Sequence, residues 1–224
     1  MDPLSFIVVI ILLILSVMAH ELAHGYAAES LGDPTARLAG RLTLNPFAHL
    51  DVVGSFIVPV LTFFGGFIIG WAKPVPYNPY NLRHARWGEA FVAGAGPLTN
   101  IFLALFFALL IRFNVFSGIF SVIDQNLIIL IVYINVILAV INLIPIPPID
   151  GSKILSALLP LHLKQHFFHF ETMIQNTGFL GILVILFLIL FVFGNVIFTG
   201  ILSLTGLLTG LSFLEVVTAV TSFF

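Results

Sequence analysis
Long apolar runs with almost nothing charged inside them leave this chain few folds to adopt. They lie at about Leu4–Ala19 (continuing to about Ala28), Val52–Trp71, Ala90–Ile111, Leu127–Ile144, Phe179–Phe193 and Val196–Leu214. A run of roughly 20 apolar residues crosses the hydrocarbon layer as a helix, because lipid offers backbone groups no partner and the helix satisfies them internally. Of 224 residues, 60% are hydrophobic and only 8% charged. With a mean hydropathy of +1.17, no soluble surface can be assembled from them. The expectation is one all-α polytopic membrane domain over residues 1–224. It would have about five to six transmembrane helices plus a re-entrant or extended segment, with no room for a soluble module. The net charge of −2 says little about partners, and no basic run suggests nucleic acid. The first run lacks a basic n-region and does not read as a cleavable signal peptide.

Two stretches are irregular. Gly54, Pro59, Gly65, Gly66 and Gly70 interrupt the second apolar run. The Lys73-Pro74-Val75-Pro76-Tyr77-Asn78-Pro79 segment after it has alternate prolines, which forbid a helix and predict extended chain. Such backbone near a membrane must be covered by protein or line a wet cavity. The last two runs are short, which suggests a helical hairpin over about 177–214 with its turn at Gly194-Asn195. Charge tests the topology. If residues 52–79 make no net crossing, then Arg37, Arg41, Lys73, Arg83, Arg86, Lys153 and Lys164 share one side and only Arg112 lies opposite. The positive-inside rule makes the crowded side cytoplasmic. Trp71 and Trp87 suit the membrane interface.

The chemistry gathers at the end of the first run, in His20-Glu21-Leu22-Ala23-His24. Two His four apart on a helix share a face and can both give imidazole nitrogen to one ion, and the Glu between them is close enough to act on water at that ion. Ionisable side chains inside a membrane are costly, about 2.5–3.5 kcal/mol for a charge at mid-depth on insertion scales, and therefore need a reason. Ala19, Ala23, Gly25, Ala27 and Ala28 surround the motif and let other helices come close. With no cysteine, thiolate ligands are excluded, so a metal must be held by His and carboxylate. The zero-crossing topology brings a second element to the same face, Asn142 through Gly151. There Pro145, Pro147 and Pro148 unwind a helix end and present Asp150 on a turn. Two imidazoles, a carboxylate and an open position are a common catalytic zinc shell.

The His20–His24 motif in one span, Gly94-Ala95-Gly96-Pro97-Leu98-Thr99-Asn100 opening another, and Asn142–Gly151 closing a third together resemble the site-2 protease family of intramembrane zinc metalloproteases. The likeness covers about residues 5–160 and is closest to short prokaryotic members without an inserted peptide-binding domain. It implies one Zn2+ per chain held by His20, His24 and Asp150, Glu21 as general base, and Asn142 as an oxyanion donor. It implies a catalytic core over about 4–160, a single-span membrane protein as substrate, and a multi-pass place in the prokaryotic cytoplasmic membrane. The chain departs from the family in lacking a helix before the His pair and in carrying the extra stretch 52–71. Two other classes stay open: a catalytically silent relative that binds membrane proteins, and an ion-binding transporter. Against the second, no pseudo-symmetric halves are evident.

Remaining residues receive lesser expectations. Substrate in extended form could add as a strand beside Lys73–Pro79, though the prolines there remove N–H donors. Asn100 either lines the site or hydrogen-bonds between packed helices. His162, His166 and His169 fall near one face of an amphipathic cytoplasmic helix, and with only Glu171 nearby they read as interfacial surface. His49 and His84 receive no role. Arg37, Arg41, Asp33 and Asp51 read as a solvated rim.

Overall fold
A computed structural model describes residues 3–51, 53–58, 60, 72–84, 87–115 and 122–224. Trp71, Arg86 and most of the stretch 52–71, including Pro59, Gly65, Gly66 and Gly70, lie outside the described residues. Within them the protein is all-helical, without strands. The helices are α1 (Pro3–Ser30), α2 (Thr35–Leu38), α3 (Gly88–Arg112), α4 (Val122–Asn142), α5 (Asp150–Leu158), α6 (Leu161–Asn176), α7 (Gly178–Thr209) and α8 (Phe213–Thr221). Four of these segments are long and apolar enough to cross a membrane: α1, α3, Gln125–Asn142 of α4, and Phe191–Thr209 of α7. The protein is an integral multi-pass membrane protein.

Sequence pattern and structure part company at the C-terminal pair of runs. In place of a hairpin, α7 is one continuous helix of 32 residues, about 48 Å long at roughly 1.5 Å per residue. Gly194 and Asn195 are tolerated inside it because neither blocks helical geometry, whereas the left-handed backbone that ends a helix falls at Gly178 and Gly210 instead. At Gly210 the N–H returns to the Gly206 carbonyl, and a Ser212–Glu215 capping box starts α8.

The spans pack through small and branched side chains. Ala104 and Ala108 of α3 meet Val132 and Val136 of α4 and Ile201 of α7, and Val9 of α1 meets Leu130 and Ile134 of α4. Lipid is as apolar as these residues, so close van der Waals contact and interhelical hydrogen bonds, rather than exclusion of water, hold the bundle. Hydrogen bonds also fix which ends lie together. Arg83 N–H donates to the Leu31 carbonyl at 2.9 Å, which puts the end of α1 and the start of α3 at one face, as the charge pattern predicts. Arg112 donates to Leu207 O at 3.1 Å, placing the ends of α3 and α7 at the other. The described basic residues Arg37, Arg41, Lys73, Arg83, Lys153 and Lys164 belong to the first face, and Arg112 stands alone at the second.

The expected rim is not uniformly solvated. Arg37 is exposed and pairs with Glu29, but Asp33 is 0% exposed. Its carboxylate accepts from Thr35 Oγ1 at 2.5 Å, Asn78 N at 2.6 Å and Asn81 Nδ2 at 2.8 Å. Burial raises its pKa, and these donors more than offset that, so the group is held below its ordinary range. Asp33 thus ties the end of the 72–78 segment to the loop after α1. Trp87 is partly exposed at the start of α3.

Two outcomes follow from this frame. Asp33→Ala is expected to destabilise the detergent-solubilised protein by about 2–3 kcal/mol, read by thermal melting. The native contribution is complete above the unfolded carboxyl pKa of 3.8 and is lost as pH falls through the lower folded value. The chain has no cysteine, so single replacements are clean labels. Leu38→Cys and Gln165→Cys should react with an impermeant maleimide from one side of the membrane, and Val115→Cys and Ser222→Cys only from the other.

Candidate metal centre
His20 and His24 stand one turn apart on α1, with their rings edge to face and centroids 4.5 Å apart. Their Nε2 atoms are 2.9 Å from each other. Asp150, at the first turn of α5, brings Oδ2 to 3.2 Å from both. The three elements meet because the ends of α1 and α4 share a face and the 143–149 turn feeds α5 directly beneath them. A Cβ on Gly151 would strike the Leu143 carbonyl and lie 2.5 Å from the Ile144 carbonyl, so only glycine lets this turn close behind Asp150. Gly96 is constrained in the same way from α3. A Cβ there would fall 2.5 Å from Nε2 of both histidines. The helix that opens this approach contains Pro97 in its interior, where the ring cannot supply the N–H that the Ala93 carbonyl would otherwise receive.

Hydrogen bonds on the far sides of the rings define what the near sides can do. His24 Nδ1 lies 2.7 Å from the Val92 carbonyl, and His20 Nδ1 lies 2.6 Å from Asn100 Oδ1. Both partners only accept, so both Nδ1 atoms carry the proton and both Nε2 atoms present lone pairs. Asp150 adds a third acceptor. Three mutually facing acceptors at these distances repel one another unless a cation stands among them. The 2.9–3.2 Å edges are close to the roughly 3.3 Å edge of a tetrahedron with ligands about 2.05 Å from zinc. The residues fit that ion.

Glu21 completes the group. One of its carboxylate oxygens lies within 4.8 Å of the nitrogen donors of His20 and His24, and Oε2 accepts the Val75 N–H at 2.7 Å. A cavity of about 240 Å³ joins Glu21, both His and Asp150 to Pro74, Val75, Tyr77, Asn142 and Lys153. Asn142 lines it while donating from Nδ2 to the Leu138 carbonyl at 2.9 Å. The segment 72–78 forms no helix, as its prolines predict, and its Pro74, Val75 and Tyr77 line the cavity. Three of its N–H groups are spent within the chain: Lys73 on His49 O at 2.8 Å, Val75 on Glu21 and Asn78 on Asp33. Those donors are therefore not offered to an added substrate strand.

Pattern reading missed one residue at this site. Lys153 packs its ammonium over the Tyr77 ring, 5.1 Å from the centroid. Burial lowers its pKa, and Tyr77, Asp150 and Glu89 more than offset that, so it stays a cation. Only its place three residues after Asp150 on a helix could have signalled it. Asn100 takes the helix-bridging reading, with Nδ2 on Asn135 Oδ1 at 2.9 Å and Oδ1 toward His20 Nδ1 at 2.6 Å, behind the residues that line the cavity. His162, His166 and His169 stay on exposed α6 away from the centre, and His49 is buried with Nε2 on the Thr43 carbonyl at 2.9 Å.

Comparison with known proteins agrees with this chemistry. Residues 117–189 match the model of Peptidase family M50. A Bacillus subtilis protein named "Putative zinc metalloprotease YwhC" is 36% identical over 196 residues, covering 85% of this chain and 83% of that protein. "Putative zinc metalloprotease Rip2" of Mycolicibacterium smegmatis is 32% identical over 189 residues, 82% of this chain and 70% of that protein. No solved structure matches the chain. Fold and site together define a membrane-embedded zinc-dependent hydrolase, a metalloprotease. More particularly, the chain belongs to peptidase family M50, the site-2 protease family.

Gly96→Ala tests how closely α3 must approach. The added methyl should cost about 1–3 kcal/mol by overpacking and should strip the purified protein of most of its zinc, measured by elemental analysis beside a melting curve.

Proposed function
We propose that this protease cuts the membrane-spanning segment of single-span proteins near the cytoplasmic face of the prokaryotic cell membrane. One observation carries the reading: Nε2 of His20, Nε2 of His24 and Oδ2 of Asp150 converge as acceptors with the Glu21 carboxylate beside them, at the basic end of a helical bundle. We assign His20, His24 and Asp150 as the ligands of one zinc per chain. Bound there, zinc supplies Lewis acidity toward a peptide carbonyl and lowers the pKa of water to about 7.

The chain's own groups do the rest. Glu21 takes the proton of the attacking water and passes it to the leaving amine. The Val75 N–H on Oε2 fixes the carboxylate's direction while it does so. Asn142 keeps one amide hydrogen on Leu138 O, and its second hydrogen is the donor for the developing oxyanion. A peptide carbonyl inside a helix is already hydrogen-bonded, so the substrate must unwind before it can be attacked. The Pro74–Tyr77 wall keeps the cavity narrow and limits bulk water. The basic residues at this end support a cytoplasmic placement through the positive-inside rule.

Glu21→Gln separates this reading from a silent binding protein. Cleavage of a reconstituted single-span substrate should fall about 10²–10⁴-fold while zinc content stays near one per chain. Asp150→Ala should lose both. Unchanged cleavage in Glu21→Gln would remove Glu21 from the chemistry.

A further inference from the structure
We propose that Asn135, acting through Asn100, locks His20 in the single tautomer that leaves its Nε2 free to bind the ion. The inference rests on the ligand assignment above. Both amides are sealed inside the bundle, Asn100 at 0% and Asn135 at 1% exposure, where an unpaired polar group is costly. Asn135 Nδ2 donates to Ser16 Oγ at 3.1 Å and to the Ile131 carbonyl at 2.9 Å. Both its hydrogens are thereby committed, and its Oδ1 can only turn toward Asn100, whose Nδ2 it accepts at 2.9 Å. A longer contact from the same Nδ2 reaches the Ser16 carbonyl at 3.4 Å. With its nitrogen held on that side, Asn100 has only Oδ1 to present to His20.

The consequence is a chain of forced choices running from α4 through α3 to α1. A carbonyl oxygen facing Nδ1 requires a proton on Nδ1 and a lone pair on Nε2. If Asn100 flipped, its NH2 would face Nδ1 and favour the other tautomer, whose Nε2–H would occupy the ligand position. The flip is resisted because it would set Asn100 Oδ1 against Asn135 Oδ1, two acceptors in a dry interior. His24 needs no such device. Its Nδ1 partner is the backbone carbonyl of Val92, which cannot turn over inside a helix. Only the first histidine depends on side chains for its tautomer, and Asn135 supplies the acceptor that decides it. Asn135 touches neither the ion's position nor the cavity, so it is a positioning residue.

The test uses the full chain in detergent and reads zinc affinity by competition with a chelator, alongside melting. Asn135→Leu, similar in size but without an acceptor, should weaken zinc binding about 10- to 100-fold, the range found when a hydrogen-bonding partner of a metal-ligating His is lost. Asn135→Asp keeps an oxygen toward Asn100 Nδ2 and should stay within about threefold of the native affinity, a small part of that range. A purely structural role predicts instead that both variants lose affinity together. That result, or native affinity in a well-folded Asn135→Leu, overturns the proposal. If Asn135→Leu does not fold, Asn135→Asp alone decides: near-native affinity supports the lock and a tenfold loss overturns it. His20→Ala separates the two levels. If it loses zinc while Asn135→Leu does not, the relay fails and the ligand set stands; if it keeps zinc, both fail.

Discussion
Everything in this molecule answers to one electrostatic fact: three acceptor atoms from two distant parts of the chain face each other at hydrogen-bonding distance with no hydrogen assigned between them. Two neutral imidazoles and an ionised carboxylate do not gather in a membrane bundle for stability. Solvation would separate them, and burial makes their repulsion worse. A divalent ion reverses the sign of the whole arrangement. The glycines make sense in that light: Gly96 keeps a side chain out of the space taken by the two imidazoles, and Gly151 lets the Leu143 and Ile144 carbonyls close behind Asp150.

The surrounding structure can be understood as successive shells that keep those atoms aimed. Backbone and amide carbonyls from α3 hold the imidazole Nδ1–H groups, and α4 braces one of those amides. On the water side, the non-helical 72–78 segment is fastened at Lys73, Val75 and Asn78. Its Val75 N–H reaches the carboxylate next to the His pair. The segment is thus both wall and fixture. It narrows the cavity and restrains the Glu21 carboxylate, two effects that a flexible connector could not combine.

Much of this was legible in the residues. The composition demanded a helical membrane protein, the four-residue spacing of His20 and His24 demanded a shared face, and the prolines from Pro74 to Pro79 demanded extended chain. The distribution of Lys and Arg indicated that residues 52–79 make no net crossing, and the Arg83–Leu31 hydrogen bond agrees. What misled was local pattern without a partner. Gly194-Asn195 resembles a turn, yet a helix continues through it because glycine permits a turn without compelling one. Asp33 resembles a surface acid, yet Asn78 and Asn81, more than forty positions along the chain, supply it with donors.

The sequence by itself determined the class of fold, the chemical identity of the donor atoms and the face from which two of them point, since these depend on composition and helical period. Tertiary structure alone decided that Asp150 reaches the imidazoles, that Gly96 brings α3 against them, and that Asn135 stands behind Asn100. Those are distances between residues up to 130 positions apart, and spacing along a chain carries no information about contacts that only packing creates.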